Sequence, residues 1–191
     1  MDNDIYTNSP DDASAEMKDQ QDKSPSSAKA QYDLGSMYEN GRGVPQSDTE
    51  AVKWYRMAAE QGYIAAQFDL GMMYHEGKRV PQSDSEASKW FRMAAEQGCT
   101  HAQIMLGWLY AEGKGVPKSD EEAVEWYRKA AEKGNPNAQF NLGSMYRYGK
   151  GVPQSNEEAY KWYLKAANQG DEDAWTILGE LDLPTNMKQD D

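Results

Sequence analysis

The sequence predicts an all-α solenoid built from antiparallel helix pairs, and two observations lead to this fold class. First, small residues recur every 36 positions, as Ala30, Ala66, Ala102, Ala138 and Ala174 and as Gly35, Gly71, Gly107, Gly143 and Gly179. Second, apolar residues at helical spacing occur twice in each unit, once on either side of a linker that contains glycine and proline. A constant period of this length is typical of stacked repeats, in which each unit contacts only its neighbours.

Polar sequence without periodicity lies at both ends of the array. Residues 1–27 are rich in Asp, Ser, Gln and Lys, so we predict a disordered acidic tail, either simply solvated or ordered when a partner binds. Residues 28–183 are assigned to the repeat array, as four full repeats and a capping half-repeat. Residues 184–191 are assigned to a second disordered tail.

The first helix of the first unit is predicted over Ala28–Asn40. It stops at Gly41, because glycine readily adopts the left-handed conformation of a helix C-terminal cap. The linker that follows reads Gly-x-Gly-Val-Pro in three units, whereas Arg79 replaces the second glycine in the second unit. If this position needs a positive φ angle, Arg79 costs roughly 1 kcal/mol.

The second helix of each unit opens on a Ser-x-x-Glu capping box. In this motif the serine side chain accepts from the third helical N–H, and the glutamate reaches back to the serine N–H. The motif occurs at Ser47 and Glu50, Ser83 and Glu86, Ser119 and Glu122, and Ser155 and Glu158. The second helices are predicted to end at Gly62, Gly98, Gly134 and Gly170.

An aromatic pair and several alanines form the apolar face of the second helix, at i, i+3, i+4, i+7 spacing. The pair begins at Trp54, Trp90, Trp126 and Trp162. A row of tryptophans can serve as a stacking platform for bases or sugars. Because the tryptophan never varies between units, we assign it to core packing instead.

The fifth unit is incomplete. Leu178 and Gly179 belong to a further first helix, which Leu183 and Pro184 are predicted to end. We expect this half-repeat to cover the apolar end of the array, as a terminal repeat must. Trp175 replaces a recurrent glutamine and suits such a cap.

The combined motif, A-x3-LG-x2-Y-x2-G-x-GVP followed by A-x2-WY-x2-AA-x2-G, resembles the Sel-one-like repeat family, a relative of the tetratricopeptide repeats. The resemblance covers about residues 28–181. It implies a right-handed superhelix that acts as an adaptor or scaffold in protein complexes, in a family abundant in bacteria. Secreted cysteine-rich members close each unit with a disulfide. This chain has only Cys99, so the properties of those members are not expected here.

The net charge of −12 is concentrated at the two ends, with −5 on residues 1–27, −3 on residues 180–191 and only −4 between them. Nucleic-acid binding needs clustered Lys and Arg, so we predict no nucleic-acid partner. No apolar run reaches membrane-spanning length, and no secretory signal opens the chain. We therefore predict a cytoplasmic protein without a membrane partner, although signal-independent secretion would leave the same sequence.

The sequence offers no constellation for catalysis, a cofactor or a metal. His75 and His101 occupy different helical registers, and with Cys99 they supply too few ligands for a zinc site. No partnering histidine is fixed near Cys99, so we interpret it as an ordinary loop residue rather than a nucleophile. We predict that the protein is not an enzyme.

A variable stripe runs along the first helices when the units are compared with one another. Positions equivalent to 29, 33, 36 and 40 change freely and share one helical face, since they are spaced i, i+4, i+7, i+11. The candidate partner-binding residues on this stripe are Asp69, Met72, Glu76, His101, Met105, Trp108, Glu112, Asn141, Ser144 and Tyr148. We expect this stripe, the first-helix face, to line the concave surface of the solenoid.

The middle of the first-helix face is apolar and flanked by acids. Exposed aromatic and methionine side chains among carboxylates suit a peptide or helix with an apolar anchor and basic flanks. The alternative is that Met72, Met105 and Trp108 simply pack between adjacent first helices.

The leading hypothesis is a non-enzymatic scaffold or adaptor that binds a partner protein or peptide on the first-helix face. We expect a monomer unless the array self-associates. The alternative is a specific inhibitor or immunity protein that neutralises a co-encoded toxin or effector, with the acidic rim and tails over a basic active site.

Overall fold

Nine α-helices form the regular structure of residues 25–181, the part of the chain that this computed structural model describes. They are α1 (Ala28–Asn40), α2 (Asp48–Glu60), α3 (Ile64–Glu76), α4 (Asp84–Glu96), α5 (Thr100–Glu112), α6 (Asp120–Glu132), α7 (Pro136–Tyr148), α8 (Asn156–Ala167) and α9 (Glu172–Glu180). The predicted tails lie outside the described residues, apart from residues 25–27, and so do Leu183 and Pro184.

Each helix packs mainly against the helices that precede and follow it in the chain. Odd-numbered helices are the first helices of the repeats and even-numbered helices are the second helices. Leucines of the three inner first helices and alanines of the second helices are buried, as at Leu70, Leu106 and Ala94. The predicted all-α solenoid is confirmed.

The invariant glycine of the first helix allows an aromatic ring of the second helix to lie against its backbone. A Cβ atom added at Gly71 would lie 2.5 Å from the Phe91 ring, and one added at Gly107 would lie 2.8 Å from the Tyr127 ring. Gly179 has no such neighbour within 4 Å. The glycine is therefore required for helix pairing, and only where a second helix follows.

Half of the predicted capping box is present. The Ser47 side chain accepts a hydrogen bond from the Glu50 N–H at 3.3 Å, and the three later serines cap their helices in the same way. The predicted return contact from glutamate to the serine N–H is wrong. The Ser47 N–H instead donates to the carbonyl oxygen of Tyr38 at 3.0 Å, which ties the linker to the end of the first helix.

A buried glutamine of the first helix joins two successive second helices. The Gln67 side chain donates to the carbonyl oxygen of Ala59 at 3.0 Å and accepts from Gln97 at 2.7 Å. The third repeat breaks the pattern, because Lys133 occupies the position of Gln97 and donates to a different carbonyl oxygen. The side-chain oxygen of Gln103 is consequently buried without a hydrogen-bond partner.

Arg79 adopts φ = 64°, the only positive φ angle of a non-glycine residue among residues 25–181. A Cβ added at its third-repeat counterpart, Gly115, would lie 2.2 Å from the backbone of Asp84. Since Arg79 has a Cβ, the backbone of the preceding repeat cannot approach it so closely. The junction between the first two repeats is therefore built differently from those that follow.

The array ends with α9, which stops at Glu180 and is followed by Leu181 as its C-cap. Leu181 is buried, and Ile177 and Leu178 pack with it against the fourth repeat. Trp175 is 55% exposed, so the expectation that it caps the array is wrong.

The core assignment of the second-helix tryptophans is confirmed for the first three, which are 6–8% exposed. The fourth, Trp162, is only half-buried and packs at the edge of the core.

Candidate partner-binding face

The apolar side chains in the middle of the first-helix face are half-buried. Met72, Met105 and Trp108 all pack against the central core cluster, and none is fully exposed or fully sealed. Part of the surface of each side chain is therefore used in packing, as the alternative interpretation of the sequence expects. The rest of each side chain is accessible on the first-helix face, but none of the three side chains protrudes from it.

Trp108 is surrounded by polar and charged groups on its open side. The His75 ring meets its indole edge-on with 5.3 Å between centroids, and the Lys114 ammonium lies 4.4 Å from the indole centroid. His75 also contacts the Asp84 carboxylate at 2.7 Å. A cation over a tryptophan ring stabilises this arrangement by about 0.5–1 kcal/mol at an exposed site.

The acidic and polar residues of the stripe differ in exposure. Glu76, His101 and Glu112 are exposed, whereas Asp69 and Asn141 are half-buried. His101 lies beside Phe68, with 6.0 Å between ring centroids.

The fourth repeat places one exposed aromatic residue on the face. Tyr148 is 61% exposed, and the Arg147 guanidinium lies 5.5 Å from its ring centroid. Ser144 is half-buried, and its hydroxyl lies 2.8 Å from the Tyr163 hydroxyl. Tyr148 is thus the one protruding aromatic among the ten candidate residues.

Asp69 of α3 is linked to α1 across the first junction. The Tyr32 hydroxyl donates a hydrogen bond to the Asp69 carboxylate at 2.8 Å. Burial raises the pKa of Asp69 above its ordinary value of 3.8, although the hydrogen bond from Tyr32 acts in the opposite direction. Burial also raises the pKa of the Tyr32 hydroxyl, so this group donates at all physiological pH values.

A second carboxylate, that of Glu39, lies at the same junction. It accepts a hydrogen bond from the Tyr55 hydroxyl at 2.6 Å and lies 3.2 Å from the Arg79 guanidinium. Arg79 also binds the Asp48 carboxylate at 2.7 Å, so both carboxylates that it contacts belong to the preceding repeat. These ion pairs hold the positive-φ residue against the first repeat.

Two clefts are lined by Asp69, one at this junction and one between the loops that precede α3 and α5. One, of about 330 Å³, is mainly charged and is lined by Glu39, Asp69, Met72, Glu76 and Arg79, among others. The other, of about 590 Å³, is mainly apolar and is lined by Tyr63, Ile64, Phe68, Asp69 and Cys99, among others. Ligand pockets in proteins are commonly about 300–1,000 Å³ in volume.

The sequence alone does not indicate that the candidate site includes the apolar cleft, Tyr32, Glu39 and Arg79. The same comparison between units could have found Glu39, because its counterparts are His75, Ala111 and Arg147. The linker pattern singles out Arg79 only by its backbone conformation. Its role at the site depends on contacts with the preceding repeat, which the local sequence does not reveal.

Within residues 25–181, no group of three His, Cys, Asp or Glu side chains is placed to hold a metal ion. In the same part of the chain, no helix is long and apolar enough to cross a membrane. Cys99 is a half-buried free thiol at the N-terminus of α5.

The fold defines this chain as an α-helical repeat protein. A sequence model of the Sel1 repeat matches residues 28–63, 64–99, 100–135 and 136–171, and the chain belongs to the Sel1 repeat family. Sel1 repeat proteins generally mediate protein–protein interactions, and the fold is typically a non-catalytic scaffold. No curated protein matches this chain.

Several solved structures are similar to the chain. It is 39% identical to a protective antigen present in uropathogenic Escherichia coli strains, which displays an SLR fold, with a TM-score of 0.76 over 88% of this chain. The match spans only 35% of the antigen's own length. A Sel1 repeat protein from Oxalobacter formigenes is 36% identical, with a TM-score of 0.78 over 89% of this chain and 71% of that one. Helicobacter pylori cysteine rich protein B is 26% identical, with a TM-score of 0.55 over 72% of this chain and 99% of that one.

Proposed function

We propose that this protein is a non-enzymatic scaffold whose first-helix face binds a segment of a partner protein. The observation that carries the proposal is the pair of clefts that meet at Asp69 on this face. The protein-interaction role of the family supports it. Cleft walls made of partly accessible apolar side chains and carboxylates are suited to a peptide or helix of a partner protein.

The carboxylates of the face favour a partner with basic residues next to an apolar anchor. Glu76 and Glu112 are exposed at the C-terminal ends of the two first helices that carry the half-buried Met72, Met105 and Trp108. Opposite charges across an interface speed association and exclude partners of the wrong sign. The ten stripe residues stay our proposal for the partner-binding set.

The alternative is an inhibitor or immunity function, in which the acidic residues of this chain would cover a basic active site. Two thirds of the net charge of −12 lies near the two ends of the chain, mostly outside the described residues. The clefts at Asp69 favour the scaffold function, since they offer a defined site for a short segment.

Several predictions made from the sequence accompany this proposal. They are that the protein has no enzymatic activity and no cofactor, that it binds no nucleic acid or membrane, and that it is a cytoplasmic monomer. The typical non-catalytic role of the fold supports the first of these.

A charge-reversal experiment tests the proposed face. Glu76→Lys combined with Glu112→Lys changes two exposed residues of the first-helix face, whereas Glu125→Lys combined with Glu132→Lys makes the same charge change on the second helix α6. Partner proteins are captured from the source lysate with each variant and with the unmodified chain. The proposal expects the captured partner to be lost only with the first pair, and its loss only with the second pair would overturn it.

Trp108→Ala is a poor choice for this purpose. Because Trp108 packs against the core, its removal lowers stability as well as any binding. Exposed glutamates avoid that ambiguity.

A further inference from the structure

The basic side chains that line the charged cleft at the first junction are already paired with carboxylates. Arg79 is paired with Glu39 and Asp48, at 3.2 and 2.7 Å. Lys78 is paired with Glu76 at 2.5 Å. Both basic side chains that line the cleft therefore already have carboxylate partners, and none of these three partners is Asp69.

Asp69 lines the same cleft, but neither Lys78 nor Arg79 pairs with it. Within residues 25–181, no lysine or arginine nitrogen lies within 4 Å of it, and the Tyr32 hydroxyl is its hydrogen-bond donor. A half-buried carboxylate without a cation is costly, because burial removes water that the protein does not fully replace. A cation supplied from outside would offset that cost.

The equivalent position in the first repeat behaves differently. Asp33 lies 36 residues before Asp69, is exposed, and pairs with Lys29 at 2.7 Å. The same residue type at the same helical position thus has an internal cation in one repeat and not in the next. This contrast makes Asp33 a matched control for Asp69.

The apolar cleft lies directly beside Asp69 on the other side. Tyr63, Ile64, Phe68 and Cys99 contribute its walls, and Ile64 is 37% exposed. An apolar side chain placed here would cover surface that now faces water, and the burial of apolar surface favours binding.

We propose that the two clefts form a single recognition site for a peptide segment in which a lysine or arginine lies near a large apolar residue. The basic group binds the Asp69 carboxylate while its aliphatic stem lies over Met72 and Met73. The apolar side chain enters the cleft walled by Tyr63 and Phe68. This inference rests on the proposed function and specifies the chemistry of the partner.

The probe is a set of acetylated, amidated hexapeptides with one leucine and one lysine separated by zero to three alanines, in both orders. Affinities are measured by calorimetry or by NMR titration. We expect at least one spacing to bind, and replacement of its lysine by norleucine to weaken binding at least tenfold. Asp69→Asn should weaken the lysine peptide by a similar factor.

The decisive readout is the coupling between the two changes. With Asp69→Asn, the lysine and norleucine peptides should bind with nearly the same affinity, since the carboxylate that distinguishes them is gone. With Asp33→Asn, the lysine peptide should keep its full advantage.

Three outcomes would overturn the inference: no peptide of the set binds, norleucine replaces lysine without loss, or Asp33→Asn acts like Asp69→Asn. Each leaves the proposed function testable, because charge reversal at Glu76 and Glu112 reports on partner capture by the whole face. If capture depends on those glutamates while Asp69→Asn has no effect, the scaffold function stands and the two-cleft site is wrong.

Discussion

The Tyr32 hydroxyl of α1 donates to the Asp69 carboxylate of α3 at 2.8 Å, across the junction between the first two repeats. The residues equivalent to Tyr32 in the next three repeats are Phe68, Ile104 and Phe140, none of which has a hydroxyl. This contact therefore distinguishes the first junction from the others, and it holds the carboxylate where the two clefts meet.

Asp69→Asn is expected to leave the protein as stable as the unmodified chain, or more stable, at pH 7. Burial raises the pKa of Asp69 in the folded state above its ordinary value of 3.8. A raised carboxylate pKa means that ionisation favours the unfolded chain, so the group's stabilising contribution is present below pH 3.8 and is lost as pH rises through the folded-state pKa. The neutral amide lacks this cost and can still accept from Tyr32.

Thermal unfolding measured between pH 3 and pH 7 checks this expectation. The difference in Tm between Asp69→Asn and the unmodified chain should shrink as the pH falls, because Asp69 itself becomes neutral. A clearly lower Tm for the variant at pH 7 would show that the ionised carboxylate stabilises the fold.

Gly71→Ala should destabilise the protein by about 1–3 kcal/mol, the usual range for overpacking a core. The added Cβ would lie 2.5 Å from the Phe91 ring. Gly179→Ala is the matched control, since nothing lies within 4 Å of its added Cβ, and alanine is favoured over glycine in a helix by about 0.5–1 kcal/mol. Urea denaturation of both variants should give changes of opposite sign, and equal destabilisation would refute the close-approach explanation.

Lys133→Gln should stabilise the array, because it gives the buried Gln103 oxygen a donor and removes only the exposed hydrogen bond from Lys133 to the Gly98 carbonyl oxygen. The net gain should be at most about 0.5–1.5 kcal/mol, the value of one internal hydrogen bond. Gln61, Gln97 and Gln169 each bind the buried glutamine of their repeat at this position, whereas Gln103 has no such partner. For a chain of this size, 1 kcal/mol corresponds to a Tm shift of about 2–4 °C. The reverse change, Gln97→Lys, should lower Tm. A Tm that does not respond to either substitution would show that the hydrogen bond between the two glutamines does not stabilise the array.

Arg79→Gly and Arg79→Ala separate backbone strain from ion pairing. Glycine removes a left-handed strain of about 1–2 kcal/mol but also removes the pairs with Glu39 and Asp48, so the two effects nearly cancel. Alanine removes the pairs and keeps the strain. We expect Arg79→Ala to have the lowest Tm of the three proteins, and the account of the first junction fails if Arg79→Gly is lower.

Much of the fold follows from the sequence because repetition fixes it. The spacing of Gly35 and its counterparts and the serine caps locate helix pairs, and the glycines equivalent to Arg79 mark the position where the positive φ angle is found. The partner of the Ser47 N–H was not, since Tyr38 belongs to the preceding helix and the capping motif names only residues within its own turn.

The candidate site is less accessible to sequence reasoning. Variation between units marks the first-helix face, but it does not say how deeply Trp108 or Met105 is buried, because burial depends on how neighbouring repeats approach each other. It also does not distinguish Asp33 from Asp69. That difference depends on Lys29, Tyr32 and the packing of the first junction.

We propose that a partner covers the first-helix face around the second repeat. Cys99, the chain's one cysteine, lines the apolar cleft and reports on it through its rate of reaction with an aromatic disulfide reagent. The control is the thiol introduced on α6 by Glu125→Cys in a Cys99→Ser background. We predict that a saturating captured partner slows the reaction of Cys99 at least tenfold and leaves the α6 thiol unchanged. Protection of the α6 thiol with Cys99 still reactive would contradict the account.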